Sequence, residues 1–176
     1  MPGKKSKSSS VAAIDWPAAI HRALKSRRVR QVSYVPDAGH KRLIELCHED
    51  RDMAVVPLTT EEEGVGLAAG AWLGGERAAL LMQSSGVGNC VNALTLASNC
   101  GFPLLIVVTM RGEWGEFNPW QIPMGQTTPD VLRLERAEDA LAAVTAAAKL
   151  AFDGYCAVAV LISQALVGAK SFEYKP

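Results

Sequence analysis

The sequence predicts an α/β fold, a doubly wound and mostly parallel sheet of about six strands with helices on both faces. Three observations predict it. Short apolar runs alternate with stretches of helical periodicity along the 176 residues. Hydrophobic residues make up 49% of the chain but aromatics only 6%. The apolar content is therefore mostly Ala, Val and Leu, which suits helices layered on a parallel sheet. Finally, the polar and glycine-rich segments follow the apolar runs, where open sheets of this class bind ligands.

Each element has its own signal. Asp15 to Lys25 carries Trp16, Ile20 and Leu24 at helical spacing, with Asp15 as N-cap and Pro17 in the first turn. Arg30 to Val35 alternates as a strand, and Pro36-Asp37-Ala38-Gly39 breaks it. His40 to His48 reads as a second helix, and Met53 to Pro57 as a short buried strand. The Glu/Gly/Ala-rich helix from Glu61 ends near Gly74-Gly75. Arg77 to Gln83 is a third strand, Ser84 to Asn89 a glycine-rich turn into a helix ending near Gly101, and Leu104 to Thr109 a fourth strand. Met110 to Thr128 has no periodicity and reads as a long ordered loop, a kind that is usually functional. Asp130 to Leu134 is expected as a short strand, Ala137 to Phe152 as a helix, and Tyr155 to Ile162 as the last strand.

Length and charge narrow the function. The chain suits one domain, placed at residues 13–170, behind a basic polar tail at 1–12 that reads MPGKKSKSSS at its start and is expected to be disordered. The 18 Lys plus Arg balance 18 Asp plus Glu without a basic stripe, which argues against nucleic acid as a partner. No apolar run has the length of a membrane span, and the tail lacks the apolar core of a secretory signal. Cytoplasm is the expectation. Cys47, Cys90, Cys100 and Cys156 lack metal-ligand spacing and read as small buried hydrophobes. No residue is assigned to a metal.

The chemistry concentrates in Thr59-Thr60-Glu61-Glu62-Glu63-Gly64-Val65-Gly66-Leu67-Ala68-Ala69-Gly70-Ala71. Small side chains let a helix backbone pack very closely. A carboxylate at the mouth of such a helix is a candidate for removal from water, and carboxylates kept from water can trade protons near neutrality. The plain alternative is that all of these glutamates serve the helix end. Thr59-x-x-Glu62 and Thr60-x-x-Glu63 are both capping boxes, and the helix dipole favours acids there. Ser84 to Asn89 is either a plain glycine turn or a phosphate cradle at a helix start. Asp37 is a candidate helix cap. Arg111 beside Glu113 either binds an anion bidentately or tethers the loop as an Arg–Glu pair.

Together, Glu61 to Gly70, Ser85-Gly86-Val87-Gly88-Asn89 and Pro103 to Val108 resemble the pyrimidine-binding domain of thiamine diphosphate-dependent decarboxylases. Arg111-Gly112-Glu113 and Gln121-Ile122-Pro123-Met124-Gly125 make the subgroup similar to sulfopyruvate decarboxylase alpha subunits and phosphonopyruvate decarboxylases. The resemblance spans about Val32 to Ile162. It implies a 2-oxo acid decarboxylase, a carboxy-lyase, acting on 3-sulfopyruvate to give sulfoacetaldehyde and CO2, or on phosphonopyruvate.

In the family it resembles, one glutamate lies nine residues before the last glycine of the helix motif, and counting back from Gly70 lands on Glu61. The resemblance then implies that Glu61 hydrogen-bonds the cofactor's aminopyrimidine and activates it, with Ser85, Gly86, Gly88 and Asn89 also at the cofactor. It places Asp37, His40, Lys41, Arg111 and Gln121 toward a small anionic substrate. The adjacent histidines that some of these decarboxylases carry near Gln121-Ile122 are missing, which points toward substrates with an acidic tail. No Gly-Asp-Gly diphosphate motif occurs in the chain. The resemblance therefore implies a hetero-oligomer in which a beta subunit holds the diphosphate and Mg2+. Two other readings are a non-catalytic regulatory subunit and a nucleotide-binding module using Gly86 and Gly88.

Overall fold

A computed structural model describes residues 15–132 and 140–168. Asp15 caps α1 (Trp16–Ser26), its carboxylate accepting from the Ala18 N–H at 3.2 Å, and Pro17 occupies the first turn. There follow β1 (Val29–Tyr34), α2 (Lys41–Glu49), β2 (Ala54–Pro57), α3 (Glu61–Leu73) and β3 (Arg77–Gln83). Two short helices, α4 (Ser84–Cys90) and α5 (Leu94–Cys100), lead into β4 (Leu104–Thr109). A loop and one 3-10 turn (Pro119–Gln121) precede α6 (Ile122–Leu132), and α7 (Ala140–Gly154), β5 (Ala157–Ile162) and α8 (Gln164–Val167) complete the described chain.

Among the described residues the sheet has five strands in the order β2-β1-β3-β4-β5, all parallel. Strand period sorts its side chains into two cores. Ala79, Leu81, Leu105 and Val107 pack with α1, α2 and α7 on one face. Ala78, Leu80, Met82, Leu104, Ile106 and Val108 pack with α3, α4, α5 and α6 on the other. Burial on both faces explains why β3 and β4 are nearly continuous apolar runs. The parallel arrangement brings the carboxyl ends of all the strands to one edge, and the candidate residues with them.

Several expectations are corrected. Among the described residues the sheet has five strands rather than about six. The expected strand at Asp130 to Leu134 is the end of α6 as far as Leu132, and the rest of it lies outside the described residues. Met124, Val131 and Leu132 pack that helix onto the sheet despite Pro129 inside it. The loop read over Met110 to Thr128 therefore ends at Asn118. Ser84 to Asn89 is helical from its first residue, not a turn. Burial of Val87 and Cys90 outweighs the poor helix propensity of Gly86 and Gly88. Cys47 and Cys90 are buried, but Cys100 is exposed and Cys156 half-buried; all four thiols are free. The tail at 1–12 and the segment 133–139 lie outside the described residues. Among the described residues, no helix is long and apolar enough to cross a membrane.

Candidate active site

Glu61 is the first residue of α3 and only 5% exposed, whereas Glu62 and Glu63 on the same turn are exposed. The three acids thus separate by position. Glu63 serves the helix start, its Oε2 accepting from the Thr59 N–H at 3.0 Å. This is not the expected box geometry, because the Thr60 side chain makes no capping hydrogen bond. Gly64 lets α3 lie directly on the sheet, where a Cβ would fall 2.4 Å from a Leu80 methyl, and that close seating keeps the first turn out of water.

Glu61 meets the start of α4. Its Oε2 accepts from Asn89 Nδ2 at 2.8 Å. A Cβ on Gly86 would fall 2.5 Å from the Glu61 carboxyl carbon, so only glycine lets α4 approach this closely. Ser85 is half-buried on the same helix, and Gly88 faces Met124 of α6. Glu61, Gly86 and Asn89 therefore form one patch, with Ser85 on the same helix and Gly88 turned toward α6. It combines a buried acceptor, a side-chain amide and bare backbone, a donor set that fits an aminopyrimidine ring. Cys90 is buried beside the patch. Burial, then the charges of Glu61 and Glu62, push its thiol up to about 12, so it stays protonated.

A second group gathers where β1 and β4 end. Asp37 accepts from Thr109 Oγ1 at 2.7 Å, and its side chain is 5% exposed. Burial acts to raise its pKa. His40, then Thr109 and the Gly39 N–H, more than offset this and hold it down at about 2. Asp37 does not cap α2; the residue before that helix is His40, which makes no side-chain cap bond. His40 is fully buried, with Nδ1 3.6 Å from Asp37 Oδ2, an ion-pair separation rather than a hydrogen bond. Neither ring nitrogen has a hydrogen-bond partner among the described residues. A fully enclosed ring lies behind Asp37 rather than at an open substrate surface. Lys41 is exposed on the outer wall.

Arg111 follows β4 and pairs with Glu116, not with Glu113 as its sequence position suggested. Its Nε donates to Glu116 Oε2 at 2.8 Å and its Nη2 donates to Oε1, a bidentate fork, while Nη1 reaches Gln83 Oε1 at 3.3 Å. The side chains are 10% and 2% exposed. Burial of Glu116 acts to raise its pKa. Arg111 and the Asn118 and Gly112 N–H groups outweigh that and bring it to about 2. Glu113 instead accepts from Ser163 Oγ at 2.8 Å and the Gln164 N–H. A cleft of about 230 Å³ opens here, lined by Gly39, Arg111, Glu116, Phe117 and Gln164 among others. Glu61 is not part of its wall. Gln121 stands outside the cleft on the 3-10 turn, its Oε1 buried without a hydrogen-bond partner among the described residues.

Sequence reasoning missed the residues that bind these pieces together. Ser84 is fully buried; its Oγ accepts from the Arg111 N–H at 3.0 Å and its carbonyl from Thr128 Oγ1 at 3.2 Å. A Cβ on Gly125 would fall 1.8 Å from the Arg111 carbonyl oxygen, so α6 lies backbone against backbone on the post-β4 loop. Thr109, Glu116 and Gln164 complete the missed set. The Gly125 of the Gln121 to Gly125 segment was the one available signal for this contact.

The thiamine pyrophosphate enzyme N-terminal TPP binding domain matches residues 15–121. The sulfopyruvate decarboxylase subunit alpha of Methanococcus maripaludis is 42% identical over 65% of this chain and 69% of that protein. That of Methanothermobacter thermautotrophicus is 39% identical over 69% and 74%. The phosphonopyruvate decarboxylase of Streptomyces viridochromogenes is 37% identical over 60% of this chain but only 27% of its own length. A solved 2-oxoglutarate:ferredoxin oxidoreductase from Magnetococcus marinus superposes with a TM-score of 0.66 at 14% identity, covering 86% of this chain and 29% of that one. It shares the fold. This chain thus spans about two thirds to three quarters of the alpha subunits and under a third of the longer proteins. The chain belongs to the thiamine pyrophosphate enzyme family, of which it carries the N-terminal TPP-binding domain.

Proposed function

We propose that this chain is the alpha subunit of a thiamine diphosphate-dependent decarboxylase that converts 3-sulfopyruvate to sulfoacetaldehyde and CO2. The single observation that carries the catalytic reading is the burial of Glu61 against the glycine backbone of α4. Similarity to sulfopyruvate decarboxylase alpha subunits supports the substrate. When bound, thiamine diphosphate supplies the electron sink for loss of CO2.

The residues of this chain hold and orient. Glu61 presents a desolvated acceptor to a ring nitrogen and shares a proton there. Asn89 fixes the carboxylate rotamer through its amide. Ser85, Gly86 and Gly88 offer close backbone approach to a flat ring. Asp37, held ionised and steadied by Thr109, stands at the substrate side, with His40 positioning it from behind. Arg111 and Lys41 supply positive charge for the anionic tail, Arg111 within limits set by its pairing to Glu116. Gln121, with its unpartnered buried oxygen, is assigned to the same side. A separate beta subunit carrying Gly-Asp-Gly and a downstream Asn supplies the diphosphate and Mg2+ half, a reading supported by similarity to relatives named as alpha subunits. The assembly is a hetero-oligomer, placed in the cytoplasm.

The test is reconstitution. This chain, mixed with such a companion, thiamine diphosphate and Mg2+, is expected to release CO2 from 3-sulfopyruvate, and neither chain alone is. Turnover of phosphonopyruvate in preference would reassign the substrate. Decarboxylation by this chain unaided would overturn the two-subunit reading.

A further inference from the structure

At the opposite edge of the sheet, where β1 and β3 begin, the fold builds a basic hollow that the sequence alone did not reveal. Arg27, Arg28 and Arg30 come from the end of α1 and the start of β1. Arg77 joins them because Val29 pairs with Arg77 in the parallel register. These four arginines, with Ser26, Gly75 and Glu76, line a cleft of about 460 Å³.

Two of the arginines are committed to structure. Arg27 Nη2 donates to Asp153 at 2.9 Å, although its Nε is buried without a hydrogen-bond partner among the described residues. Arg77 Nη1 donates to the Arg27 carbonyl at 2.8 Å, and its guanidinium stacks 4.9 Å from the Phe152 ring centre. Arg30 is exposed and has only a loose pair, 3.9 Å from Asp52, which Lys25 shares at 3.5 Å. Arg28 is exposed, and among the described residues its side chain has no hydrogen bond and no ion pair.

Arg28 also sits at φ +57°, one of two non-glycine residues in the left-handed region among those described. It is the first residue past the cap of α1, the position glycine ordinarily fills. A bulky cation held in the conformation of a glycine, with no partner among the described residues, marks a candidate functional residue. Among the described residues Glu76 is the one acid lining the cleft, against four guanidinium groups. Guanidinium forks match phosphate oxygens in pairs, and a concave wall in which positive charge predominates concentrates such an anion.

We propose that this cleft binds a small phosphate-bearing anion, with Arg28 and the loosely paired Arg30 as its ligands and Arg27 and Arg77 as a fixed positive floor. The site lies at the amino edge of the sheet and takes no part in the decarboxylation assigned to the Glu61 edge.

Calorimetric titration of the purified full chain, in buffer free of other multivalent anions, uses pyrophosphate and inorganic phosphate as probes. Saturable binding of pyrophosphate with a Kd below about 1 mM is expected, weakening as salt is added. Arg28→Gly should lower the affinity at least about tenfold while leaving Tm unchanged or higher, because glycine suits the left-handed position. Arg30→Gln should weaken binding as well, and Glu61→Gln should leave it intact. Equal binding by wild type and Arg28→Gly would overturn the proposal. Loss of binding in Glu61→Gln would also overturn it, by placing the probe at the carboxyl edge. Saturation only with anionic phospholipid vesicles, and with neither free probe, would replace it with a membrane-surface role.

Discussion

At the scale of single residues, three adjacent glutamates have different fates because α3 rotates each to a different surface. Glu61 turns inward onto α4, and Glu63 turns back to the Thr59 N–H. Gly86→Ala tests the close contact, since its Cβ would displace the Glu61 carboxylate. The substitution should cut kcat at least about tenfold while costing stability on the order of 1–3 kcal/mol, measured by steady-state kinetics and thermal unfolding. Glu63→Gln should cost about 1 kcal/mol of stability and leave kcat alone.

The Arg111–Glu116 pair makes a pH prediction. Glu116 titrates near 2 in the folded chain against an ordinary 4.5. A carboxyl depressed on folding contributes stability that is complete above its unfolded pKa and lost as pH falls toward its folded one. Stability should therefore decline between about pH 4.5 and pH 2, with up to about 3 kcal/mol from this group. Asp37, also held near 2, adds to the same window. Urea midpoints across that range should fall less steeply for Glu116→Gln, which at neutral pH should itself be destabilised by about 3 kcal/mol, because it strands the buried Arg111 charge.

At the scale of elements, legibility in the sequence tracked how far local pattern decides. β3 and β4 run over the very residues expected of them, because a strand buried on both faces is a bounded apolar run. α1 was readable from Asp15 and Pro17. α4 and α6 were not, because Gly86, Gly88, Gly125 and Pro129 depress helix propensity and tertiary packing overrides it. Glu61 could be singled out only through the family resemblance, and its contact with Gly86 could not, since the two lie on different elements. The pairing of Arg111 with Glu116 was hidden for a similar reason: the loop after β4 has no period to read.

α3 carries its own prediction. Gly66 and Gly70 are exposed, and a Cβ added at either would meet nothing within 4 Å. Gly66→Ala should stabilise this chain alone by about 0.5–1 kcal/mol. If the companion subunit packs on that helix face, the same change should weaken assembly. Thermal unfolding of the single chain and sedimentation of the mixture separate the two effects.

At the scale of the whole molecule, a parallel sheet divides labour between its edges. The carboxyl ends gather Asp37, Glu61, Ser84 and Arg111, while the amino ends gather arginines from α1, β1 and β3. The carboxyl-edge patch holds an acid and bare backbone suited to a ring, and the proposal assigns the diphosphate to a second polypeptide. The most direct measurement is turnover of 3-sulfopyruvate by the reconstituted assembly carrying Glu61→Gln. Catalysis through Glu61 requires kcat to fall by roughly 10²–10⁴-fold, with circular dichroism and assembly unchanged. Turnover within about twofold of wild type in a folded, assembled Glu61→Gln enzyme would contradict it.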